Sequence, residues 1–331
     1  MRVLIVGCGS IGRRHISNLL AIEKIERIVV CTKNEECLEK FGNEKKIEFT
    51  GELNNLPVSQ DSRPSFSSSN EIDFAIIANE TSKHIDTAVF LAERGIHLFI
   101  EKPLSHNLEK VDILRETAER KKIKIYIAYN LRFLGTLQYI KEVLSRKGLG
   151  SLYFAKIEVG QYLPSWRSTI DYRKTYSAAS NTRGGGVALD LSHEVDYMRY
   201  LFGDPYHWKV MKTKVSTLEI DAEDIFEGLY KYDSGFICSV HMDYLQTDTK
   251  REIRIEGSEG TLVGDLIRKI IKIKDKEKKE LLVTDENLFD TAKTYIEELN
   301  HFVRVIEGKE EPAITLHDGI SALKLLEDRN V

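Results

Sequence analysis

The chain opens with MRVLIVGCGSIGR, residues 1–13, and this segment sets the fold of the amino-terminal part of the protein. Residues 3–6 are an apolar run that predicts a buried strand, and a glycine-rich motif follows it at once. The motif consists of Gly7, Cys8, Gly9, Ser10, Ile11 and Gly12. Its first glycine permits a tight turn, its second lets the backbone approach a pyrophosphate, and its third lets strand and helix pack closely. Because a helix N-terminus favours negative charge, the spacing predicts a dinucleotide-binding site made by this motif.

The rest of residues 1–128 alternates strand and helix patterns, which is typical of a doubly wound α/β sheet. The predicted strands are Met1–Val6, Arg27–Cys31, Ile47–Thr50, Phe74–Ala78, His97–Ile100 and Ile123–Ala128. The predicted helices are Ile11–Ile22, His84–Arg94 and Asn107–Lys121. We therefore expect a dinucleotide-binding domain over residues 1–128.

Residues 129–331 have a different pattern, in which long and often alternating strands follow one another with few helices between them. The predicted strands are Tyr153–Val159, Trp208–Leu218, Phe236–Tyr244, Glu252–Ile255 and Ile267–Ile273, and the predicted late helices are Leu288–Ile306 and Asp318–Leu326. This pattern predicts an α+β domain with a large, open and mainly antiparallel sheet. Because one face of an open sheet is costly to leave in water, we expect this domain to form a homodimer or homotetramer through the sheet.

The composition agrees with two ordinary globular domains in 331 residues. Lys and Arg number 48 against 52 Asp and Glu, and this balance argues against a nucleic-acid partner. No apolar run approaches the roughly 20 residues of a transmembrane helix, so we expect no membrane partner. The four cysteines show no C-x-x-C spacing, which argues against a structural zinc or any other metal and favours reduced thiols in the cytoplasm.

The residue that contacts the adenine ribose is expected about 20 residues after the glycine motif. Thr32 stands there in place of the acidic residue of an NAD site, and Lys33 follows it. A hydroxyl and an ammonium group can hold a 2′-phosphate, so the sequence favours NADP(H), with NAD(H) as the alternative. Glu35 and Glu36 are close enough to hold a ribose hydroxyl instead, and Lys33 is otherwise a solvated surface lysine.

Two further motifs are Glu101-Lys102-Pro103 and GGGVALDLSH over residues 184–193. Together with the glycine motif, they make the chain similar to the Gfo/Idh/MocA family of oxidoreductases. The similarity extends over nearly the whole chain. The resemblance also includes Asn79, Thr81, His84, Asn130 and Arg132. A weaker similarity points to a branch of the family associated with bacterial surface-sugar pathways.

The resemblance implies a Rossmann domain, a second domain that binds substrate, and a nicotinamide-dependent reaction at a carbinol carbon of a sugar, sugar phosphate or nucleotide sugar. It implies cofactor contacts from Asn79, Thr81, His84, Glu101 and Lys102, and substrate contacts from Asn130 and Arg132. It also implies that Lys102, Asp190 and His193 face the nicotinamide. Their chemistry fits, since an imidazole accepts a proton near neutral pH, an ammonium group stabilises a developing alkoxide, and a carboxylate binds a neighbouring hydroxyl or orients the imidazole.

One spacing departs from the family pattern, because Asp190 and His193 are three residues apart where four are usual. Both spacings place the two side chains on one face of a helix. The two side chains can therefore still converge, but the departure leaves the position of Asp190 less well specified by the family pattern than that of His193.

A polar segment rich in aromatic residues precedes the third motif and is a candidate loop over the substrate. Aromatic rings cover the apolar face of a sugar, and arginines pair with phosphate. Its candidate substrate residues are Trp166, Arg167, Tyr172 and Arg173. A surface or subunit-contact loop is the alternative for this segment.

The main alternative to an enzyme is a non-catalytic sensor of nicotinamide nucleotides on the same fold. The presence of both Lys102 and His193 favours catalysis, because a sensor needs no proton relay. None of the fourteen tyrosines has a lysine four residues later, which excludes the Tyr-x-x-x-Lys pair of short-chain dehydrogenases.

Overall fold

The computed structural model describes residues 1–53, 72–166, 171–175 and 183–328. These residues form two compact units. The first consists of Met1–Ala128 with Tyr295–Ile320, and the second of Tyr129–Thr294 with the chain from Ser321 onward.

The first unit contains a six-stranded parallel sheet with the order β3-β2-β1-β4-β5-β6. Its strands are β1 (Arg2–Val6), β2 (Arg27–Cys31), β3 (Ile47–Thr50), β4 (Phe74–Ile77), β5 (His97–Glu101) and β6 (Ile125–Ala128). Its connecting helices are α1 (Ser10–Leu20), α2 (Glu35–Phe41), α3 (His84–Ala92) and α4 (Val111–Lys121). The order reverses between β1 and β4, where the carboxyl ends of the strands leave a crevice for a ligand. The predicted doubly wound sheet is confirmed.

The apolar runs of this sheet are continuous because both faces are covered. All four residues of β4 are buried, as are all four of β6. The burial of both faces explains why these two strands can be predicted from short unbroken apolar runs in the sequence.

The second unit contains an eight-stranded sheet with the order β14-β13-β12-β11-β7-β10-β9-β8. Its strands are β7 (Leu152–Gly160), β8 (His207–Thr213), β9 (Ile225–Lys231), β10 (Ile237–Asp243), β11 (Lys250–Gly257), β12 (Gly260–Asp265), β13 (Ile270–Asp275) and β14 (Glu280–Val283). Its helices are α5 (Gly135–Ser145), α6 (Leu163–Trp166), α7 (Val187–Asp190) and α8 (His193–Phe202). The pairs are antiparallel except β7 with β10, which is parallel. The predicted open and mainly antiparallel sheet is confirmed.

One face of the second sheet is buried and the other is exposed. Along β9, Phe226 and Tyr230 are buried, whereas Glu227, Leu229 and Lys231 are exposed. Helix α8 packs against β7 and β10 on the buried side.

The chain returns to the first unit near its end, through most of α9 (Thr291–Ile306) and the first half of α10 (Leu316–Leu325). The ring of Phe302 lies 5.4 Å from that of Phe74, 5.5 Å from Phe99 and 5.6 Å from Tyr126. Burial of this aromatic cluster explains why α9 packs on the first sheet. This finding differs from the predicted assignment of every residue after 128 to the second domain.

Within the part of the chain that the structure describes, no helix is both long and apolar enough to cross a membrane.

Candidate active site

The glycine motif forms the turn between β1 and α1, and the packing of the turn requires two of its three glycines. Gly7 has a φ of +95°, and a Cβ there would lie 2.6 Å from the Ala78 carbonyl oxygen. A Cβ on Gly12 would lie 2.3 Å from the Gly7 carbonyl oxygen, so only glycine allows this packing. At Gly9, in contrast, a Cβ would meet nothing within 4 Å.

The turn suits a pyrophosphate. Gly9 is the residue before α1, and no side chain caps the helix there, so its first amides remain for a ligand. The space around the Gly9 Cα is open, since a Cβ there would meet nothing within 4 Å. The geometry therefore fits a dinucleotide whose pyrophosphate lies at the start of α1.

The expected ribose site lies at the end of β2. The Thr32 amide donates to the Thr50 carbonyl, and the Thr32 hydroxyl accepts a hydrogen bond from the Asn34 amide at 3.1 Å. Lys33 is exposed and makes no ion pair with any described residue. Arg13 is paired with Glu36, with 2.6 Å between Nη1 and Oε2, so this carboxylate competes with any phosphate for the arginine.

The cysteines correct one prediction. Cys8, inside the glycine motif, is joined by a disulfide to Cys37 at the start of α2, with 6.2 Å between the two Cα atoms. The prediction of four reduced thiols is wrong for this pair, whereas Cys31 and Cys238 are free. Parallel pairing of β1 with β2 brings the turns after these strands together, and the separation of 29 residues gave no signal for it.

The Glu101-Lys102-Pro103 motif lies at the end of β5, and its Lys102–Pro103 peptide bond is cis. Lys102 is partly buried. The Glu101 carboxylate accepts a hydrogen bond from the Lys102 amide at 3.3 Å, and its other oxygen lies 2.5 Å from His15 Nε2. Both oxygens of Glu101 are thus used within the chain, and its contact with the cofactor stays a prediction.

His84 holds the other side of this motif. Its Nδ1 lies 2.9 Å from the Pro103 carbonyl oxygen, and its Nε2 lies 3.2 Å from that of Asn79. Burial lowers the pKa of His84, and a neutral ring donates to one of the two carbonyls. These contacts anchor the backbone, and the cofactor contact of His84 stays a prediction.

Asn79 and Thr81 come just after the carboxyl end of β4, one of the two strands between which the strand order reverses. The Asn79 amide nitrogen donates to the Thr87 hydroxyl at 3.0 Å. The Asn79 Oδ1 is buried without a hydrogen-bond partner among the described residues, so this oxygen is available to a ligand hydroxyl. Thr81 is buried at the start of a short 3₁₀ turn.

In the second unit, the third motif forms two helices with a break between them. Asp190 is the last residue of α7, and His193 is the first of α8. The expectation that one helical face carries both is therefore wrong, because Leu191 leaves helical geometry with φ −99° and ψ +23°.

The side chains of these two residues have different surroundings. Asp190 is buried and accepts a hydrogen bond from the Tyr244 hydroxyl at 3.0 Å. His193 is partly exposed, and its ring stands edge-on to Tyr129 at 5.7 Å. The carboxylate is thus fixed, whereas the imidazole retains access to solvent. No sequence spacing predicts Tyr244, because it is 54 residues from Asp190.

Asn130 and Arg132 are used inside the second unit. The Asn130 amide donates to the Thr294 hydroxyl at 2.6 Å. Arg132 forms a bidentate ion pair with Asp196 on α8, at 2.9 and 2.6 Å. Asp196 is buried and the Arg132 side chain is only 9% exposed, and removing one partner of a buried pair typically costs about 3–5 kcal/mol. Their predicted substrate contacts stay predictions, and the observed ones stabilise the helix that begins at His193.

The aromatic segment is described in part, and Arg167 lies outside the described residues. Trp166 packs against Tyr244, with 6.2 Å between ring centroids, and the Tyr172 hydroxyl accepts from the Glu219 amide at 3.2 Å. Arg173 bonds to Asp171 and to Glu219, and its hydrogen bond to Asp171 is the largest cause of its raised pKa. These contacts leave the predicted roles in substrate binding as predictions.

No group of metal-ligating side chains is found among the residues described here.

Comparisons with known proteins match both units of the chain. Residues 1–129 match the oxidoreductase family with an NAD-binding Rossmann fold, and residues 137–263 match the GFO/IDH/MocA C-terminal domain. The myo-inositol 2-dehydrogenase of Thermotoga maritima is 24% identical, covering 98% of this chain and 94% of its own. The glucose-6-phosphate 3-dehydrogenase of Bacillus subtilis is 24% identical over 67% of this chain and 60% of its own.

Two solved structures share the fold over nearly the whole chain. The WlbA dehydrogenase of Bordetella pertussis, in complex with NADH and UDP-GlcNAcA, has a TM-score of 0.82 at 20% identity, covering 98% of this chain and 93% of its own. The UDP-N-acetylglucosamine 3-dehydrogenase GnnA of Acidithiobacillus ferrooxidans has a TM-score of 0.74 at 19% identity, covering 98% and 95%. With both domain matches in order, the chain belongs to the GFO/IDH/MocA oxidoreductase family and contains its NAD-binding Rossmann fold.

Proposed function

We propose that the protein is a dehydrogenase or reductase that acts on one carbinol carbon of a sugar, sugar phosphate or nucleotide sugar. The main support is the combination of an uncapped glycine-rich turn in the first unit with the fixed Asp190 and accessible His193 of the second. Relatives over most of the chain are dehydrogenases of inositol and of glucose 6-phosphate. The solved structures of similar fold include nucleotide-sugar dehydrogenases.

The chemistry requires that a CH–OH group lose one hydride and one proton to become a carbonyl. A bound nicotinamide supplies the hydride acceptor or donor. The start of α1 would hold its pyrophosphate, and Asn79 Oδ1 is a free acceptor for one of its hydroxyls. Lys102 hydrogen-bonds the alcohol oxygen and stabilises its developing negative charge. His193 takes the proton, and Asp190 binds a neighbouring hydroxyl or orients the imidazole.

A substrate panel tests this proposal. The purified protein is incubated with NAD⁺ or NADP⁺ and with myo-inositol, glucose 6-phosphate or UDP-N-acetylglucosamine, and formation of reduced cofactor is followed at 340 nm. We expect turnover with at least one member, and a rate at least about 100-fold lower in the Lys102→Ala and His193→Asn variants. Tight cofactor binding without turnover on this panel or a wider set of sugars would indicate a sensor instead.

The finer choice of cofactor is part of the proposal, and we expect tighter binding of NADPH than of NADH. Thr32 offers no carboxylate to repel a 2′-phosphate, and Lys33 makes no ion pair with any described residue. Since a hydrogen bond to a charged group is worth about 1.5–3 kcal/mol before screening, we expect a preference of at least about tenfold. Lys33→Asp should reverse the order in calorimetric titrations of both cofactors.

Lys40→Asp is the matched control for this charge reversal, because Lys40 is exposed at the far end of α2. We expect it to leave the ratio of the two dissociation constants unchanged. Equal affinities, or tighter binding of NADH to the unmodified protein, would instead assign the ribose to Glu35 or Glu36.

We also propose that the protein is a homodimer or homotetramer, formed through the exposed face of the second sheet. Strand register places four exposed apolar side chains on that face: Phe154, Met211, Leu229 and Ile237. We expect light scattering to give a mass of two or four chains of 37.9 kDa, and Leu229→Glu to lower it. Ile113→Glu, an exposed position of the first unit, is the control. A single 37.9 kDa species at micromolar concentration would contradict this state.

The proposed location is the cytoplasm, which fractionation of the source cells with an antibody to the protein would test.

A further inference from the structure

A buried histidine connects the glycine-rich turn to the Glu-Lys-Pro motif. His15 lies on α1, one residue before Ile16, in the buried stripe of that helix. Its side chain is fully buried, and its Nε2 lies 2.5 Å from Oε1 of Glu101. The pairing therefore joins the helix proposed to hold the pyrophosphate to the residue that precedes Lys102.

The Glu101 carboxylate extends this connection to the backbone of Lys102. Its Oε2 accepts a hydrogen bond from the Lys102 amide at 3.3 Å, while Oε1 takes the contact with His15. An ionised carboxylate is an acceptor, so His15 Nε2 carries the proton of this bond. One carboxylate thus holds a helix on one side and the backbone of the candidate catalytic lysine on the other.

Packing alone does not explain a histidine at this position. The ring stands edge-on to Phe99 at 5.4 Å and to Tyr295 at 6.5 Å, an environment that an apolar ring also fills. His15 Nδ1 is buried without a hydrogen-bond partner among the described residues, which is a cost that phenylalanine avoids. The compensating contact is the hydrogen bond to Glu101.

We propose that His15 is a positioning residue for Lys102, acting through Glu101, and this inference rests on the role proposed above for Lys102. The hydrogen bond from Nε2 fixes the carboxylate, and the carboxylate fixes the backbone amide from which the Lys102 side chain extends. Because a small misplacement of a reacting group lowers the rate more than it lowers binding, the effect falls on kcat.

The test compares the variants His15→Gln and His15→Asn, whose side-chain amides differ in reach by one methylene. In His15→Gln the amide nitrogen is as many bonds from Cα as Nε2 of histidine, so it can donate to Glu101. In His15→Asn it is one bond too short. We expect His15→Asn to lower kcat by about 10–100-fold and to change the KM of the cofactor by less than about threefold. We expect His15→Gln to keep kcat within about fivefold of the unmodified protein. Equal loss in both variants would overturn the proposal.

A second measurement does not depend on turnover. Hydrogen–deuterium exchange of the cofactor-free protein is followed in the peptide that contains Lys102. We expect faster exchange in His15→Asn than in His15→Gln, with the peptides of α4 unchanged as an internal control. Equal exchange at Lys102 in the two variants would overturn the proposal, whatever their activities.

A double-mutant cycle separates this inference from the proposed function. If His15 acts through Lys102, adding His15→Asn to Lys102→Ala lowers kcat by less than about threefold further. A further loss as large as that in the unmodified background would overturn the coupling. If Lys102→Ala alone leaves kcat unchanged, the catalytic role of Lys102 fails, and the exchange measurement still decides whether His15 holds this backbone.

Discussion

Replacing Lys102 with alanine is expected to lower kcat by at least about 100-fold, the usual effect of losing one donor to a developing oxyanion. The ammonium group acts on the substrate oxygen, so the affinity for the cofactor should change little. Steady-state rates with the active substrate of the panel give kcat. Calorimetric titration gives the affinity for the cofactor.

Lys110→Ala is a suitable control for this variant. Lys110 follows the same motif in sequence and pairs with Asp86 at the surface, where both side chains are exposed. Because an exposed ion pair is worth at most about 1 kcal/mol, the control should leave kcat unchanged. A Lys102→Ala variant with nearly unchanged kcat would remove the lysine from the chemistry.

Replacing His193 with asparagine is expected to lower kcat by about 10²–10⁴-fold, the range typical of a general base. A base works in its unprotonated form, so the oxidation rate of the unmodified protein should rise with pH as the imidazole loses its proton. Asparagine has no titratable group that could replace the imidazole. The variant should therefore lose the rising limb of the pH profile.

His207→Asn is the control for this loss, because His207 is an exposed residue of β8 in the same unit. It should keep both the rate and the rising limb. If the limb persists in His193→Asn, the proton goes to Asp190 or to a tyrosine instead.

The first sheet was predictable because most of its strands are short apolar runs that alternate with helices, with β3, which contains Glu48 and Thr50, as the exception. The second was harder, and three of its strands, β9, β12 and β14, were missed. The strand β12 begins with Gly260 and contains Gly264, and β9 is interrupted by Gly228, so glycine weakened the strand pattern in both. Pairing with neighbouring strands overrides this local preference.

The candidate site was predictable as a set of motifs, and its supporting contacts were not. Arg132 and Asn130 are polar residues near a strand end, and sequence alone favours a ligand contact for them. Their partners Asp196 and Thr294 are 64 and 164 residues away, so the fold has to be known before these side chains can be assigned. In the sequence, His15 is only a polar residue within the apolar stripe of a helix, and its partner Glu101 is not apparent.

The late return of the chain to the first unit has a consequence for its synthesis on the ribosome. Phe74, Phe99 and Tyr126 are made early, and the ring that packs on all three belongs to Phe302. At about 5–20 residues per second, the segment between Tyr126 and Phe302 takes roughly 9–35 seconds to translate. During that time the nascent first unit presents an aromatic surface to the surrounding solution, which makes it a candidate client for chaperones.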